Sequence, residues 1–213
     1  MLKKTSFIYL FLVGYIFTGY SQSYNWIKQV GDKASDQTPV CKLLPNGESI
    51  VGWYFSDSTK IDKFTLKSAK ATLPAIVAYL NKDGTAKWIW KPDSCSGTMN
   101  INTISFSEFS SKIFVCGNFS KGATINKVRY QGINTGFVIR LDSNGGFEEI
   151  YTLFDSSGIS FETMYITSKS EIILGIGYQG KKKSYPPLSI TTLGFIILSL
   201  IHISEPTRLR RIS

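Results

Sequence analysis

Two stretches group oxygen-bearing side chains around a glycine: Asp142-Ser-Asn144-Gly145 and Asn81-Lys-Asp83-Gly84. Closely spaced carboxylates and amides on a tight turn are what a hard cation such as calcium takes as ligands. Neither stretch completes an alternating acidic pattern or supplies a closing bidentate Glu, so both read as hairpin turns, and no metal or other cofactor is expected. Paired carboxylates are the second chemistry within reach, because glycoside hydrolysis needs only two. Asp57, Asp62, Glu148 and Glu149 are the candidates, yet nothing in their spacing sets two acids across a cleft. Histidine chemistry is excluded upstream of position 202, because His202 is the only histidine. A Ser-His-Asp or Cys-His nucleophile system, or a His-based zinc site, cannot be assembled there. No catalytic residue is assigned, and the chain is read as non-enzymatic.

The remaining reactive or sticky groups have quieter readings. Cys41, Cys95 and Cys116 are too few for a disulfide framework in a chain of this length. Cys116 sits in the apolar run Ile113-Phe-Val-Cys116 and is expected to be a small buried hydrophobe. Trp26, Trp53, Trp88 and Trp90 could stack on sugars or form a protein-binding surface. Their recurrence at repeat positions favours packing between repeats. Trp53 is the exception, since Asn118 stands at its place in the next copy, and it is the single residue assigned to surface binding.

These residues must be held by strands. Short runs rich in Val, Ile, Phe, Tyr, Trp and Thr are separated at close intervals by Gly, Asn, Asp and Ser, and no stretch keeps a 3.6-residue apolar period for three turns. Strands are expected over Pro39–Leu44, Ser49–Tyr54, Ile76–Leu80, Ala86–Trp90, Ile101–Phe106, Lys112–Asn118, Gly136–Leu141, Glu148–Leu153, Thr163–Thr167 and Glu171–Ile176. The fold class is all-β, made of consecutive antiparallel sheets. The strands repeat with a period near sixty residues. Ser49-Ile-Val-Gly52 corresponds to Phe114-Val-Cys-Gly117 and Ile172-Ile-Leu-Gly175. Lys60-Ile-Asp-Lys-Phe64 corresponds to Thr124-Ile-Asn-Lys-Val128. Ala75-Ile-Val-Ala-Tyr-Leu-Asn-Lys-Asp-Gly84 corresponds to Gly136-Phe-Val-Ile-Arg-Leu-Asp-Ser-Asn-Gly145, and Trp26-Ile-Lys28 is echoed by Trp88-Ile-Trp90 and Ile150-Tyr-Thr152. Several registers agreeing in one order make an internal repeat.

The succession of strand, Gly-aromatic, variable loop, Gly-Phe-Val-x-x-Leu-Asp-x-x-Gly and a Trp-bearing strand resembles the long-period β-propeller repeats of exported bacterial proteins, particularly those of Bacteroidetes. The resemblance spans about Trp26 to Ile197. It implies an incomplete propeller-like array of about three blades, in proteins that typically carry a C-terminal sorting domain for type IX secretion. The chain departs from that pattern in having Val30-Gly31-Asp32 where many such repeats have a double glycine, and in showing no sorting domain.

The two termini are expected to lie outside the repeat region. Lys3 and Lys4, the apolar run Phe7 to Phe17 and the small or polar Thr18-Gly-Tyr-Ser21 make a secretory signal peptide over residues 1–21. Its apolar run is too short for a bilayer core, so no membrane span is expected after cleavage. At the other end, Leu198-Ser-Leu-Ile-His-Ile-Ser-Glu-Pro-Thr-Arg208 resembles a one-frame translation of a transposase adapter used for sequencing libraries. Residues 198–213 are therefore expected to be adapter-derived, and 22–197 to be a truncated repeat region. Arg replaces Lys as the basic residue in the same segment. Setting aside Lys3, Lys4, Glu205, Arg208, Arg210 and Arg211 lowers the formal net charge from +9 to about +5. The basic residues left are dispersed except Lys181-Lys-Lys183, so nucleic acid is not an expected partner.

The expected function is that of an exported scaffold for binding or structure, at the cell surface or outside a Gram-negative cell, with a protein or glycan as partner. The alternatives are the repeat region of a larger exported enzyme or adhesin, and a carbohydrate-binding module.

Overall fold

The computed structural model describes residues 26–28, 39–153, 158–167 and 171–178, and the backbone of three further strands within 183–200. The expected signal peptide and residues 201–213 lie outside the described residues, as do Lys181-Lys182 and Pro186-Pro187. Within the described residues there is no helix, and the elements are β1 (Val40–Leu43), β2 (Ser49–Tyr54), β3 (Ser58–Ile61), β4 (Phe64–Lys67), β5 (Ala75–Leu80), β6 (Ala86–Trp90), β7 (Ser94–Cys95), β8 (Met99–Ser107), β9 (Lys112–Phe119), β10 (Gly122–Ile125), β11 (Val128–Gln131), β12 (Thr135–Leu141), β13 (Phe147–Leu153), β14 (Ile159–Ile166), β15 (Ile172–Tyr178), β16 (Lys183–Tyr185), β17 (Leu188–Ile190) and β18 (Gly194–Leu200).

Three antiparallel sheets follow one another with the same plan. The first is ordered β1-β2-β5-β6, the second β8-β9-β12-β13 and the third β14-β15-β18. Each breaks its meander at the same point with a short hairpin: β3-β4, β10-β11 and β16-β17. Irregularities recur too. A β-bulge falls between Tyr79 and Leu80 and again between Arg140 and Leu141. Another falls between Ile101 and Thr103 and again between Phe161 and Thr163. The turns Asn81–Thr85 and Asp142–Gly146 close with the same two backbone bonds: Asn81 N to Thr85 O and Gly84 N to Asn81 O in one, Asp142 N to Gly146 O and Gly145 N to Asp142 O in the other. Bulges are placed by local backbone demands rather than by composition, so their return one repeat later is strong evidence for a repeat.

The sheets bury their faces against one another. In the second sheet Ile113, Val115, Phe137 and Ile139 pack toward Ile50, Val77 and Trp90 of the first. On its other face Phe114, Cys116 and Val138 pack toward Phe161, Met164 and Leu174 of the third. Its central strands are therefore apolar without alternation, unlike a sheet with one wet face. The outward face of the first sheet is covered in part by its own hairpin, where Ile61, Phe64 and Leu66 lie on Trp53, Ile76 and Ala78.

The structure moves two of the repeat correspondences by one residue. Gly52 pairs with Val77, whereas Gly117 pairs with Phe137 and Cys116 takes Val138. With β5 and β12 aligned through Gly84 and Gly145, Gly52 thus corresponds to Cys116. The two glycines serve different contacts. A Cβ on Gly117 would lie 1.9 Å from the Asn100 carbonyl oxygen, whereas one on Gly52 would meet the tips of Ile101 and Ile104 at 2.9 Å. Likewise Trp88 lies opposite Tyr79 as Glu149 lies opposite Arg140, so Ile89 corresponds to Ile150. The third sheet continues past Ile197, with Leu198 paired to Leu174, as apolar β-prone residues do beside an open strand edge.

Candidate functional site

Most of the residues singled out for chemistry are engaged by the scaffold. Asp142 Oδ1 accepts the backbone N–H groups of Asn144 and Gly146 at 2.8 and 2.7 Å, and Asp83 Oδ1 accepts the N–H and the hydroxyl of Thr85 at 2.9 and 2.7 Å. These are side chains fastening turns. The two Thr85 hydrogen bonds hold the Asp83 carboxyl below the usual range. Glu148 is shared between Lys112 and the Arg140 Nε at 2.9 Å; Arg140 reaches Glu149 at 3.0 Å, and Glu149 accepts the Tyr151 hydroxyl at 2.6 Å. Asp62 pairs with Lys28 at 2.7 Å and accepts the Ala86 N–H at 2.6 Å. Asp57 sits at φ +55° in the bend between β2 and β3. Among the described residues no three His, Cys, Asp or Glu lie close enough together to hold a metal ion.

Trp53 requires a correction. It was expected to face outward, but it is 4 % exposed, packed within the cluster between the first sheet and its hairpin. β2 alternates, and Trp53 shares the face of Val51, which the β3-β4 hairpin covers. The absence of an aromatic at this place in the second copy signalled a difference between sheets and not exposure. Its indole N–H has no hydrogen-bond partner. Cys116 is fully buried, and burial pushes its thiol up to about 12, with the Glu162 charge adding to the effect. Cys95 is likewise pushed up to about 11 by burial, and all three thiols are free.

The arrangement that the sequence brings together most consistently is a seam between successive repeats. Gly145, at φ +81°, lies flat on the Trp88 indole, so close that a Cβ would stand 2.7 Å from its Cδ2 and Cε3. The Trp88 Nε1 donates to the Ser143 carbonyl at 3.0 Å. The end of the first sheet is thereby latched to the turn of the second. The same latch exists one repeat earlier: Gly84, at φ +78°, lies on Trp26, with a Cβ 2.6 Å from the indole Cδ2, and Lys28 donates to the Gly84 carbonyl. Glycine is required at both turns for backbone shape and for closeness. At the opposite end of the strands, Met99 N donates to Leu73 O at 2.9 Å as Ile159 N donates to Asn134 O at 2.8 Å.

Polar clusters line the same sheets. Glu48 accepts Lys87 and the Tyr79 hydroxyl at 2.7 Å, and the Lys87 ammonium lies 4.9 Å from the Tyr79 ring centroid. Desolvation and then Glu48 push the Tyr79 hydroxyl up to about 12, while Lys87 and then Tyr79 hold Glu48 below the usual carboxylate range. In the second sheet burial and then Glu149 push the Tyr151 hydroxyl up to about 12. These groups are tied to one another. A comparison with protein-family models finds no match, and a search of curated proteins finds none.

Proposed function

We infer that this chain is an exported, non-enzymatic scaffold built from β-propeller-type blades, with a binding or structural role at the cell surface or outside the cell. The observation that carries the reading is the recurrence of one seam: tryptophan beneath a turn glycine at Trp26–Gly84 and again at Trp88–Gly145. Such sheets cannot bury both faces alone and gain stability from neighbours, which is the physical basis of propellers and solenoids. Three of the four carboxylates that might have served a hydrolase, Asp62, Glu148 and Glu149, are committed to ion pairs, and this supports a scaffold over an enzyme. Export rests on the basic, apolar and small-residue succession of residues 1–21. Expression of the full chain with its own leader in a Gram-negative host tests it. Recovery outside the cytoplasm with Gln22 as the N-terminus is expected, and a cytoplasmic chain retaining Met1 would overturn the export reading. A glycan array tests the partner class; because Trp53 is buried, a glycan site would have to involve other aromatics.

A further inference from the structure

We propose that Asn144 is a spontaneous deamidation site, and that its conversion to an aspartyl or β-aspartyl residue releases the seam between the first and second sheets.

The chain holds two Asn-Gly pairs, Asn46-Gly47 and Asn144-Gly145, and one comparable Asp-Gly pair, Asp83-Gly84. Asparagine is a thermolabile side chain. Before glycine its side-chain carbonyl carbon is most open to attack by the next backbone nitrogen, because glycine has no side chain to stand in the way. All three pairs sit in turns of one backbone shape. Gly47, Gly84 and Gly145 have φ of +81°, +78° and +81°. Each donates its N–H to the carbonyl three residues back, Leu44 at 2.9 Å, Asn81 at 2.9 Å and Asp142 at 3.1 Å.

Side-chain engagement separates the three. In the first two turns the residue before the glycine is fastened by the N–H two positions on: Asn46 Oδ1 accepts from Glu48 at 3.0 Å, and Asp83 Oδ1 accepts from Thr85 at 2.9 Å. Asn46 is tied a second time, its Nδ2 donating to Glu48 Oε2 at 2.6 Å. In the third turn Asp142 has taken that partner. Its Oδ1 accepts the N–H groups of Asn144 and Gly146 at 2.8 and 2.7 Å. A Cβ on Gly146 would stand 2.6 Å from Asp142 Oδ2, so glycine there is what admits the carboxylate. Gly146 is the residue that would otherwise have fastened Asn144. The Asn144 amide is therefore left exposed, with no hydrogen-bond partner among the described residues. Such a side chain can turn toward the Gly145 nitrogen freely, whereas Asn46 must first break both of its local bonds.

The reaction needs only water and hydroxide. The Gly145 nitrogen gives its proton to hydroxide and bonds to Asn144 Cγ, the Cγ–Nδ2 bond breaks, and the amide nitrogen takes a proton and leaves as ammonia. Water then opens the resulting succinimide at either carbonyl carbon. One opening gives an aspartyl residue, and the other a β-aspartyl link with an extra carbon in the main chain. The ring already removes the N–H that Gly145 donates to Asp142. The consequence falls on the seam, because Gly145 lies on the Trp88 indole and the adjoining Ser143 carbonyl accepts its Nε1 at 3.0 Å. A main chain lengthened between these two contacts cannot keep both.

Incubation of the full chain at mildly alkaline pH, then digestion and mass spectrometry with electron-transfer fragmentation, locates the site. In the folded chain Asn144 is expected to convert several-fold faster than Asn46, and in urea, where the turns are lost, the two are expected to convert at matching rates. Equal rates in the folded chain, a faster Asn46, or no conversion of Asn144 in the time the unfolded chain needs would each overturn the assignment. Asn144→Gln keeps an amide and removes the site. The urea denaturation midpoint of the parent is expected to fall as conversion proceeds, and that of the variant to hold. A parent midpoint unchanged at full conversion would overturn the link to the seam. The scaffold reading does not depend on either result.

Discussion

At the scale of single residues, the seam makes the sharpest demands. Trp88 combines ring contact with Gly145 and a hydrogen bond to the Ser143 carbonyl. Trp88→Ala is expected to cost about 3 kcal/mol, at the lower end for a large aromatic because this indole is only partly buried. Gly145→Ala should cost more than about 1 kcal/mol, since it adds a Cβ at a positive φ and against the ring. The two costs should not add, because removing the indole clears the space the new methyl needs. Urea denaturation of the double variant checks this, and strict additivity would show that the contact is unimportant. Cysteine chemistry gives a second residue-level test. Burial pushes the Cys95 and Cys116 thiols up to about 11 and about 12, while Cys41 is exposed. An aromatic disulfide reagent should titrate one thiol in the native chain and three in urea. Glu48 gives a third. Its carboxyl is held low chiefly by Lys87, so its charged form stabilises the fold above its unfolded value near 4.5. That contribution is lost as pH falls from there through the lower folded value. Glu48→Gln should therefore flatten the fall of the denaturation midpoint below about pH 4.5 and leave the remaining carboxylate dependence; an unchanged pH profile would refute the assignment.

At the scale of elements, most of the fold was legible and the small pieces were less so. All ten expected strands exist, with ends shifted by a few residues: Ser49–Tyr54 and Ala86–Trp90 as expected, and Thr163–Thr167 part of a longer strand from Ile159. Alternation and turn chemistry carry that signal locally. The hairpins β3-β4 and β10-β11 are too short for periodicity to reveal as strands. Only the correspondence of Lys60–Phe64 with Thr124–Val128 hinted at them, and both close with two-residue loops, Ile61 pairing Phe64 and Ile125 pairing Val128. The one-residue shift between Gly52 and Gly117 goes with two glycines that serve different contacts, which a linear comparison does not see. Trp53 was misplaced for a related reason: burial on its face is supplied by a hairpin that sequence did not declare. The β10-β11 turn yields a prediction at this scale. Asn126 and Lys127 both have positive φ, +47° and +63°, as a type I′ turn requires. Lysine is poorly suited to that conformation, and glycine is well suited. Lys127→Gly keeps the N–H that donates to Asp93 and should raise stability by about 0.5–1 kcal/mol in urea denaturation; a destabilised variant would mean the lysine side chain holds the hairpin.

At the scale of the whole molecule, what sequence could not supply was which faces meet. The structure shows the second sheet between the other two, with separate apolar clusters on its two faces. Protection should therefore be graded and not uniform. The central strands β9 and β12 contribute to both clusters, so opening them requires separating both seams. Strands of the first and third sheets are released by parting one seam each, and the hairpins β3-β4 and β10-β11 by less still. Local opening energies scale with the apolar contacts that must be broken, from near zero at loops to the global value in the core. Native-state hydrogen exchange followed by mass spectrometry should accordingly show the slowest amides in Ile113–Phe119 and Phe137–Leu141, intermediate exchange in β2, β5 and β15, and fast exchange in the hairpins. Uniform exchange across the three sheets would mean that they unfold as one unit, and the nearest-neighbour account of their stability would then fail.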